Sequence, residues 1–562
     1  MGHEEKELCK PGNLAMVLIL ETATNIMGSK ERACRLPLMN YLGEKMAALC
    51  YERPWYSKMG GCIALKFLYQ NMAMRWLYQH TFVFLKAFMF IIMDLTGEVS
   101  SGAIDMARTF LEKMLRICMK PLEKDCKNEE LLATQKKAMH DVIHELVRQV
   151  TSPHTLVRET AMSSLRLIAE LQEKTVTEVM DPHREVLVDM IPPKKHLLRH
   201  QPASAQIGLM DGNTFCTTLE PRLFTIDLNV LTHKVFYHEV LTLSDAEDAT
   251  LNKLECYKTV TNLVPLRKSA LNALAACHYI PNGCREKIFA ILFKGLEKNN
   301  AELQEAAFHC MKNFLQGCNV SKETIHTVIR PLLLMLGDYR NLTLSGTRRL
   351  SYLTQLFPAM FNEKLCDSLL QILRKMLEVT ITSNQGNFLA TSKTSEMEKK
   401  IVTILGIFQQ IPAASPKFIE SLCKLILQAE KSLMVEPSSP YRPALVKFLL
   451  RYPKETIELL LTDAVMKDAQ WNRFTIFLLR HKDGAPFRNA AQLKGARLTQ
   501  LILLNSESST TAKPFEERYE SQHQAVLIIH TLVEFDGPWI TSQVEIITVL
   551  KSIWKNDLYK VS

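Results

Sequence analysis

The stretch VRETAMSSL, residues 157–165, decides the fold of this chain. Its valine, alanine and leucine stand four residues apart, which places them on one face of a helix. The small alanine lets a second helix approach closely, and we expect the polar Arg158 to point away from that contact. A recurring phrase of this kind predicts stacked helix pairs. The further copies are LRKSALNAL (266–274), LQEAAFHCM (303–311), YRPALVKFL (441–449) and, more loosely, SKMGGCIAL (57–65).

The clearest helix pairs are predicted between residues 262 and 380. Pro265 fits a first helical turn, and Ser321 has the position of an N-cap. From Arg267 to Gln304 the step is 37 residues, which is usual for two-helix repeats, whereas the other steps are irregular. The sequence therefore predicts an all-α fold, an α-solenoid of irregular HEAT-type helix pairs. The predicted helices are 264–278, 284–297, 301–316, 321–336, 342–357 and 362–379.

Three interruptions divide the predicted array. Residues 192–222 contain four prolines and no helical period, and they predict a long irregular loop. Two polar stretches predict a mobile loop at 381–396 and a flexible loop at 505–514. The segments between these loops are then helical repeats at 1–191, 223–380 and 397–504, with terminal helices at 515–562.

The composition is that of a folded protein, with 47% apolar residues among 562. The net charge of +9 is mild for this length and does not call for direct binding of nucleic acid. The 14 cysteines are scattered without a Cys-x-x-Cys pair, which indicates reduced thiols in a cytosolic or nuclear protein. The most apolar stretch, 82–95, is shorter than the roughly 20 residues of a membrane helix, so we interpret it as a buried helix.

Few residues point to chemistry. His140 and His144 lie one helical turn apart and could ligate zinc, but the sequence places no third ligand, so a solvated helix face is favoured. No glycine-rich phosphate-binding loop and no Gly-x-Ser-x-Gly occurs, which argues against an active lipid or protein kinase. We therefore predict no enzyme activity, no catalytic residue, no cofactor, no metal site and no small-molecule substrate.

The densest basic cluster contains Lys194, Lys195 and Arg199. It could contact an acidic protein partner or a phosphate backbone, or serve in nuclear import. A solvated loop is the simpler interpretation, and a short cluster without interleaved aromatic residues is weak support for nucleic acid. We predict these three residues as a candidate protein-contact loop.

Several long strings carry a resemblance to a known family. VLVDMIPPKKHLLRHQPASAQIGLMDGNTFCTTLEPRLFTID at 186–227 is the longest of them. Others are FLKAFMFIIMDLTGEV at 84–99, ALNALAAC at 270–277 and RPLLLMLGDYR at 330–340. The chain resembles the giant helical scaffolds of histone acetyltransferase complexes, a pseudokinase branch of the phosphatidylinositol-3-kinase-related kinases, through nearly its whole length and in order.

The resemblance implies a HEAT-type solenoid in a nuclear transcription coactivator that recruits acetyltransferase complexes of the SAGA and NuA4 classes. Its implied partners are transcription activators and complex subunits, and no family functional residue carries over to a position here. At 562 residues the chain holds a segment of that array, without room for the FAT and kinase-like regions. The alternatives are a HEAT-type transport adaptor and a non-functional partial copy of the coactivator.

Overall fold

The computed structural model describes residues 1–95, 97, 101–122, 128–193, 198–384, 392–503 and 515–555. Within them the fold is all-helical, as predicted, and the only strand-like pairing is an isolated bridge between Met190 and Pro193. The chain divides into two compact units, Met1–Asn319 and Val320–Ser562. The division falls inside the predicted helical run 223–380.

In its described residues, the first unit contains short and long α-helices and three 3-10 helices. The 3-10 helices are Asp181–Leu187, Leu198–His200 and Glu255–Tyr257. The α-helices are α1 Lys6–Met27, α2 Lys30–Ala33, α3 Pro37–Leu49, α4 Trp55–Asn71, α5 Met74–Met93, α6 Ser101–Cys118, α7 Glu129–Gln149, α8 Thr155–Leu171, α9 Val176–Met180, α10 Ala203–Thr218, α11 Leu231–Asp245, α12 Asp248–Leu251, α13 Val264–Ala275, α14 Asn282–Gly295 and α15 Ala301–Gly317.

The second unit has the same character. Its 3-10 helices are Tyr339–Asn341, Pro358–Met360, Glu436–Ser438 and Gly537–Ser542. Its α-helices are α16 Lys322–Met335, α17 Leu344–Leu356, α18 Glu363–Asn384, α19 Ser392–Gln410, α20 Phe418–Leu433, α21 Arg442–Leu449, α22 Pro453–Leu460, α23 Asp463–Met466, α24 Ala469–Arg480, α25 Ala485–Gln492, α26 Gly495–Leu503, α27 Phe515–Phe535 and α28 Val544–Lys555.

The predicted helices between 262 and 380 are confirmed as α13 to α18, with ends that differ by a few residues. Pro265 lies in the first turn of α13, and the hydroxyl of Ser321 caps α16 by accepting the Thr324 N–H at 3.2 Å. The predicted loop at 381–396 is partly helix, because α18 runs to Asn384 and α19 begins at Ser392. Residues 385–391 and the predicted loop at 505–514 lie outside the described residues.

The small residue of the repeating phrase lies at close helix contacts, as predicted. Ala161, Ala270 and Ala307 are fully buried. A Cβ added to Gly61 in α4 would come within 2.6 Å of the Cys50 sulfur and 2.9 Å of its backbone nitrogen. A larger residue at Gly61 would therefore force the end of α3 away from α4.

The expectation for the polar residue of the phrase is wrong. Instead of pointing away from the helix contacts, this residue is buried in every copy: Lys58 is 5% exposed, Arg158 2%, Arg267 3%, Gln304 0% and Arg442 7%. A helix leaves its last carbonyl groups without intrahelical partners, and a long polar side chain on the next helix can reach them. In a stack of helices, such a side chain can therefore be buried with its polar atoms bonded to carbonyl groups at the end of a neighbouring helix.

Three of these side chains donate hydrogen bonds to carbonyl groups at the end of a preceding helix. Arg158 Nη1 donates to the Ser152 carbonyl, just beyond α7, at 2.7 Å. Arg267 donates to the carbonyls of Leu243 and Ala246 at the end of α11, and Gln304 donates to Leu296 after α14 at 2.9 Å. The repeating phrase thus joins neighbouring helices through polar contacts as well as through apolar packing.

All three arginines of the phrase also pair with carboxylates, and Arg267 Nε donates to Asp248 Oδ1 of α12 at 2.8 Å. Arg158 reaches Asp211 of α10 at 2.7 Å, which links α8 to α10. Arg442 reaches Glu430 of α20 at 2.9 Å, and that glutamate is fully buried. A buried carboxylate depends on its partner much more strongly than an exposed one does.

The prediction of an irregular loop at 192–222 is also wrong. Residues 203–218 of it form α10, which packs on α13. Gly208 and Gly212 made this segment look like a turn, but they allow α10 to lie against backbone. A Cβ on Gly208 would lie 2.5 Å from the carbonyl oxygens of Thr151 and Ser152.

The apolar stretch at 82–95 is part of α5, which is 20 residues long. Among the described residues, α5 is the one helix long and apolar enough to cross a membrane, so the length argument made from the sequence does not hold. Burial agrees with the predicted core helix, since 67% of its most apolar window is buried against neighbouring helices. Those neighbours are α3, α4, α6, α7 and α8.

Removal of the Arg442 guanidinium should be costly. Arg442→Met leaves the buried Glu430 carboxylate without its partner, and we expect the free energy of unfolding to fall by about 3–5 kcal/mol in urea titrations followed by circular dichroism. The matched control is Arg473→Met, because Arg473 is 61% exposed in its ion pair with Glu436 and its loss should cost below about 1 kcal/mol. Equal losses in the two variants would contradict the role of the buried pair.

Gly208→Ala should destabilise the first unit. Its new methyl group would meet two carbonyl oxygens, and such overpacking costs about 1–3 kcal/mol. Gly102→Ala is the matched control, because the described structure places nothing within 4 Å of a Cβ there. That control should leave stability unchanged or raise it by below about 1 kcal/mol, as measured by the same urea titration. An unchanged free energy of unfolding for Gly208→Ala would show that α10 can shift without loss of stability.

Candidate protein-contact surface

The predicted contact loop is only partly described by the structure. Lys194 and Lys195 lie outside the described residues. Arg199 lies in the 3-10 helix Leu198–His200, where its side chain is 60% exposed. Of the three predicted residues, Arg199 is therefore the one whose surroundings can be examined.

Arg199 borders an open, mainly apolar groove of about 440 Å³. The groove lies between the 3-10 helix Leu198–His200, α11 and the segment from α12 to Tyr257. Helix α11 contributes two apolar residues to its lining, and the other apolar residues come from the two flanking segments. Among these, Leu254 is 43% exposed. The lining residues are Leu198, Arg199, Val235, His238, Glu239, Thr242, Leu243, Leu251, Leu254 and Tyr257.

The lining of the groove contains one charged pair, Arg199 and Glu239. Glu239 Oε2 accepts the Leu198 N–H at 2.7 Å, which fixes the 3-10 helix on α11. Its other oxygen, Oε1, is buried without a hydrogen-bond partner and lies 3.9 Å from Arg199 Nε. The exposed guanidinium therefore keeps its hydrogen-bond donors available for a partner that enters the groove.

Tyr257 closes the floor of the groove. Its hydroxyl donates to Gln206 Oε1 of α10 at 2.6 Å, and both side chains are buried. Burial raises the pKa of Tyr257 well above its usual range, so the phenol is neutral at physiological pH. Helix α10 therefore supports the floor of the groove through this hydrogen bond.

A second cluster comes from α7 and the 3-10 helix Asp181–Leu187. His140 and His144 share an exposed face of α7, as predicted, but the structure adds the buried His183 beside them. The pKa of His183 is lowered, first by burial and then by His140 and His144. No spacing rule could have found this third histidine, because 39 residues separate it from His144.

The described cysteines form no disulfide bond, and most are buried. Burial raises the pKa of the Cys277 thiol to about 12, and it does the same for Cys310. These thiols are protonated at neutral pH and pack as small apolar side chains.

Stacked helix pairs with buried polar links, joined by short turns, define a helical repeat protein of the HEAT type. The chain belongs to the family described as the Tra1 HEAT repeat ring region, whose model matches residues 1–561. The predicted α-solenoid of HEAT-type helix pairs is thereby confirmed, and so is the resemblance to the scaffolds of acetyltransferase complexes.

Curated relatives agree with this assignment. The chain is 57% identical over 569 residues to Transcription-associated protein 1 of Drosophila melanogaster and 47% identical over 580 residues to Transformation/transcription domain-associated protein of Homo sapiens. Each alignment covers 100% of this chain and 15% of the relative. The SAGA complex/NuA4 acetyltransferase complex subunit TRA1 of Saccharomyces cerevisiae is 27% identical over 475 residues, which is 80% of this chain and 12% of that protein.

A solved helical array shows a distant likeness. Yeast importin-beta (Kap95p) aligns with 93% of this chain and 77% of its own, at 11% identity and a TM-score of 0.32. A likeness at this level carries no argument about function.

Proposed function

We propose that this chain is a non-catalytic helical scaffold in the nucleus that docks transcription activators and subunits of histone acetyltransferase complexes. The family assignment and the names of the relatives support this proposal. The sequence also lacks the glycine-rich loops with which kinases hold phosphate groups. The chain spans about 15% of the length of these animal relatives. The proposal therefore concerns the docking surface of this segment of the array.

The observation that carries the docking role is the apolar groove bordered by Arg199. Its volume lies within the range of ligand-binding clefts in proteins. Activation segments are disordered chains that become ordered on binding, and amphipathic helices insert their apolar side chains into such grooves. The groove therefore suits a short amphipathic segment.

Charge favours an acidic segment over a neutral one. Arg199 presents an exposed guanidinium at one end of the groove, and Lys194 and Lys195 precede it in the sequence. The whole chain carries a net charge of +9, which attracts acidic partners at long range. Carboxylates of the bound segment would pair with Arg199 while its leucine or phenylalanine side chains occupy the apolar floor.

The groove is tested with a fluorescent peptide in which Asp and Glu alternate with Leu and Phe. Leu254→Asp places a charge in the apolar lining of the groove. We expect the dissociation constant of the peptide for this variant, measured by fluorescence polarisation, to rise about tenfold or more. Arg199→Glu should raise it about fivefold, with a weaker salt dependence than the unchanged chain shows.

Two controls accompany this titration. Leu493→Asp changes a leucine that is 76% exposed and does not line the groove, and Arg32→Glu reverses an exposed charge on α2. Both should bind the peptide as the unchanged chain does. If Leu254→Asp also binds normally, the groove is not the docking site.

The scaffold role is tested separately by affinity purification of the tagged chain from nuclear extract. We expect acetyltransferase subunits of the SAGA and NuA4 classes to co-purify, as detected by quantitative mass spectrometry. The Leu254→Asp variant should still co-purify these subunits and lose activators, because only the activators are proposed to bind the groove. Recovery of neither class above an untagged background would contradict the coactivator role of this segment, whatever the peptide does.

A further inference from the structure

A second open groove of the first unit has a volume of about 490 Å³. It is formed by the end of α7, the bridge between Met190 and Pro193, and the first two turns of α10. Its volume lies within the range of ligand-binding clefts in proteins. Its apolar lining residues are all partly or largely accessible to solvent, and they are Pro153, Met190, Pro193, Ala205 and Leu209.

The two grooves share a wall, the turn from Leu198 to Gln201. Leu198 lines the first groove and Gln201 lines the second, and the Gln201 N–H donates to the Leu198 carbonyl at 3.0 Å. The fully buried Gln206 donates to the Gln201 carbonyl at 2.8 Å and accepts the Tyr257 hydroxyl at 2.6 Å. One buried amide thus joins the floor of the first groove to the wall of the second, so the spacing of the grooves is fixed.

Each groove also has an arginine in its lining. In the second groove this is Arg148, whose side chain is 52% exposed. Its Nη2 and Nε donate to the two oxygens of the Glu145 carboxylate at 2.7 and 3.1 Å. The Glu145 side chain is 10% exposed and also accepts the Gln149 amide at 2.8 Å, so it holds the guanidinium in one orientation. Among the described residues Arg148 Nη1 makes no hydrogen bond, and its donors remain for a ligand carboxylate.

We propose that one acidic amphipathic segment occupies both grooves, with an apolar cluster in each and a carboxylate on Arg199 and on Arg148. The proposal rests on the function proposed for the first groove and adds the length and the pattern of the partner. A segment bound beside Arg199 has only the turn from Leu198 to Gln201 to cross before it reaches the second groove.

Charge decides between this partner and other occupants of the second groove. Asp189 also lines it, but this carboxylate is already engaged within the chain, so Arg148 is the charged group there that can take a new partner. A second copy of this chain is disfavoured, because two chains of net charge +9 repel each other.

Two contacts on one flexible segment bind more tightly than either contact alone. Binding of the first cluster holds the second cluster near its groove at an effective concentration of about a millimolar. Because the shared wall is already fixed, the ordering cost falls on the segment. The first unit should therefore select segments with two apolar, acidic clusters over segments with one.

The test compares fluorescent peptides on the whole chain by polarisation. A one-block peptide alternates Asp and Glu with Leu and Phe. The two-block peptide repeats that block after a Gly-Ser linker of about four or about eight residues, which spans roughly 11 or 16 Å. A control peptide of the same length and charge has Ser in place of Leu and Phe in its second block. We expect the two-block peptide to bind about tenfold more tightly than both others, as a one-to-one complex in analytical ultracentrifugation.

Variants of the second groove should remove this advantage. Met190 is 38% exposed, and Met190→Asp places a charge in the apolar lining. The ratio of the two-block to the one-block affinity should then fall from about ten to about one. Arg148→Gln removes the Nη1 donors, keeps a neutral donor for Glu145, and should lower the same ratio about threefold. Circular dichroism shows whether each variant folds.

Two matched controls should keep the full ratio. Met434→Asp changes a methionine that is 90% exposed. Arg116→Gln changes an arginine of α6 that is 50% exposed and, like Arg148, pairs with a glutamate of its own helix. Neither residue lines either of the two grooves.

The outcomes separate the second groove from the first. If the one-block peptide does not bind the unchanged chain, the first groove is not a docking site and both proposals fail. If the one-block peptide binds but the two-block peptide binds no more tightly than the serine control, the two-groove proposal alone is overturned. The same holds if folded Met190→Asp and Arg148→Gln keep the full ratio.

Discussion

The packing depends on the buried polar side chains of the repeating phrase, three of which reach carbonyl groups at or just beyond the end of an earlier helix. The last carbonyl groups of a helix carry a partial negative charge and lack intrahelical partners. Arg158, Arg267 and Gln304 supply the missing donors from within the stack. Apolar faces alone would let neighbouring helices slide along one another, whereas a hydrogen bond to a particular carbonyl fixes their offset. The irregular repeat lengths are tolerated because this local contact, and not the length of the connection, sets how each pair joins the next.

The sequence predicted the positions of the helices well, but it did not predict that polar residues on them are buried. Four-residue spacing identified α13 to α18 because it reflects which face of each helix is buried. The same reasoning pointed Arg158 away from the helix contact, since a helical period separates charged residues from the apolar face. Burial of Arg158 depends on the Ser152 carbonyl and on Asp211, and neither is visible from the local pattern. The 192–222 error has a related cause, because a glycine such as Gly208 marks a close backbone contact as readily as a turn.

Of the residues that line the groove, the sequence predicted only Arg199 as a contact residue. Basic residues clustered in sequence led to Arg199, which the structure places at the end of an apolar groove. The groove itself is built from α11, α12 and Tyr257, which lie 30 to 60 residues further along the chain. Its lining alternates with core positions of the same helices, so no segment of the sequence looks like a binding site by itself. The His183 position shows the same limit, because only the packing of a short 3-10 helix brings it to α7.

The extensive burial of α5 has a consequence for the synthesis of the chain. Twelve of its twenty residues are buried, and the helices that cover it include α6, α7 and α8, all later in the sequence. During synthesis, α5 leaves the ribosome well before residue 171 completes α8. Throughout that interval its apolar surface is uncovered on the side that α6 to α8 later occupy. Nascent chains of this family therefore pass through a stage in which chaperones have a hydrophobic segment to bind, and slowing translation between residues 94 and 171 prolongs that stage.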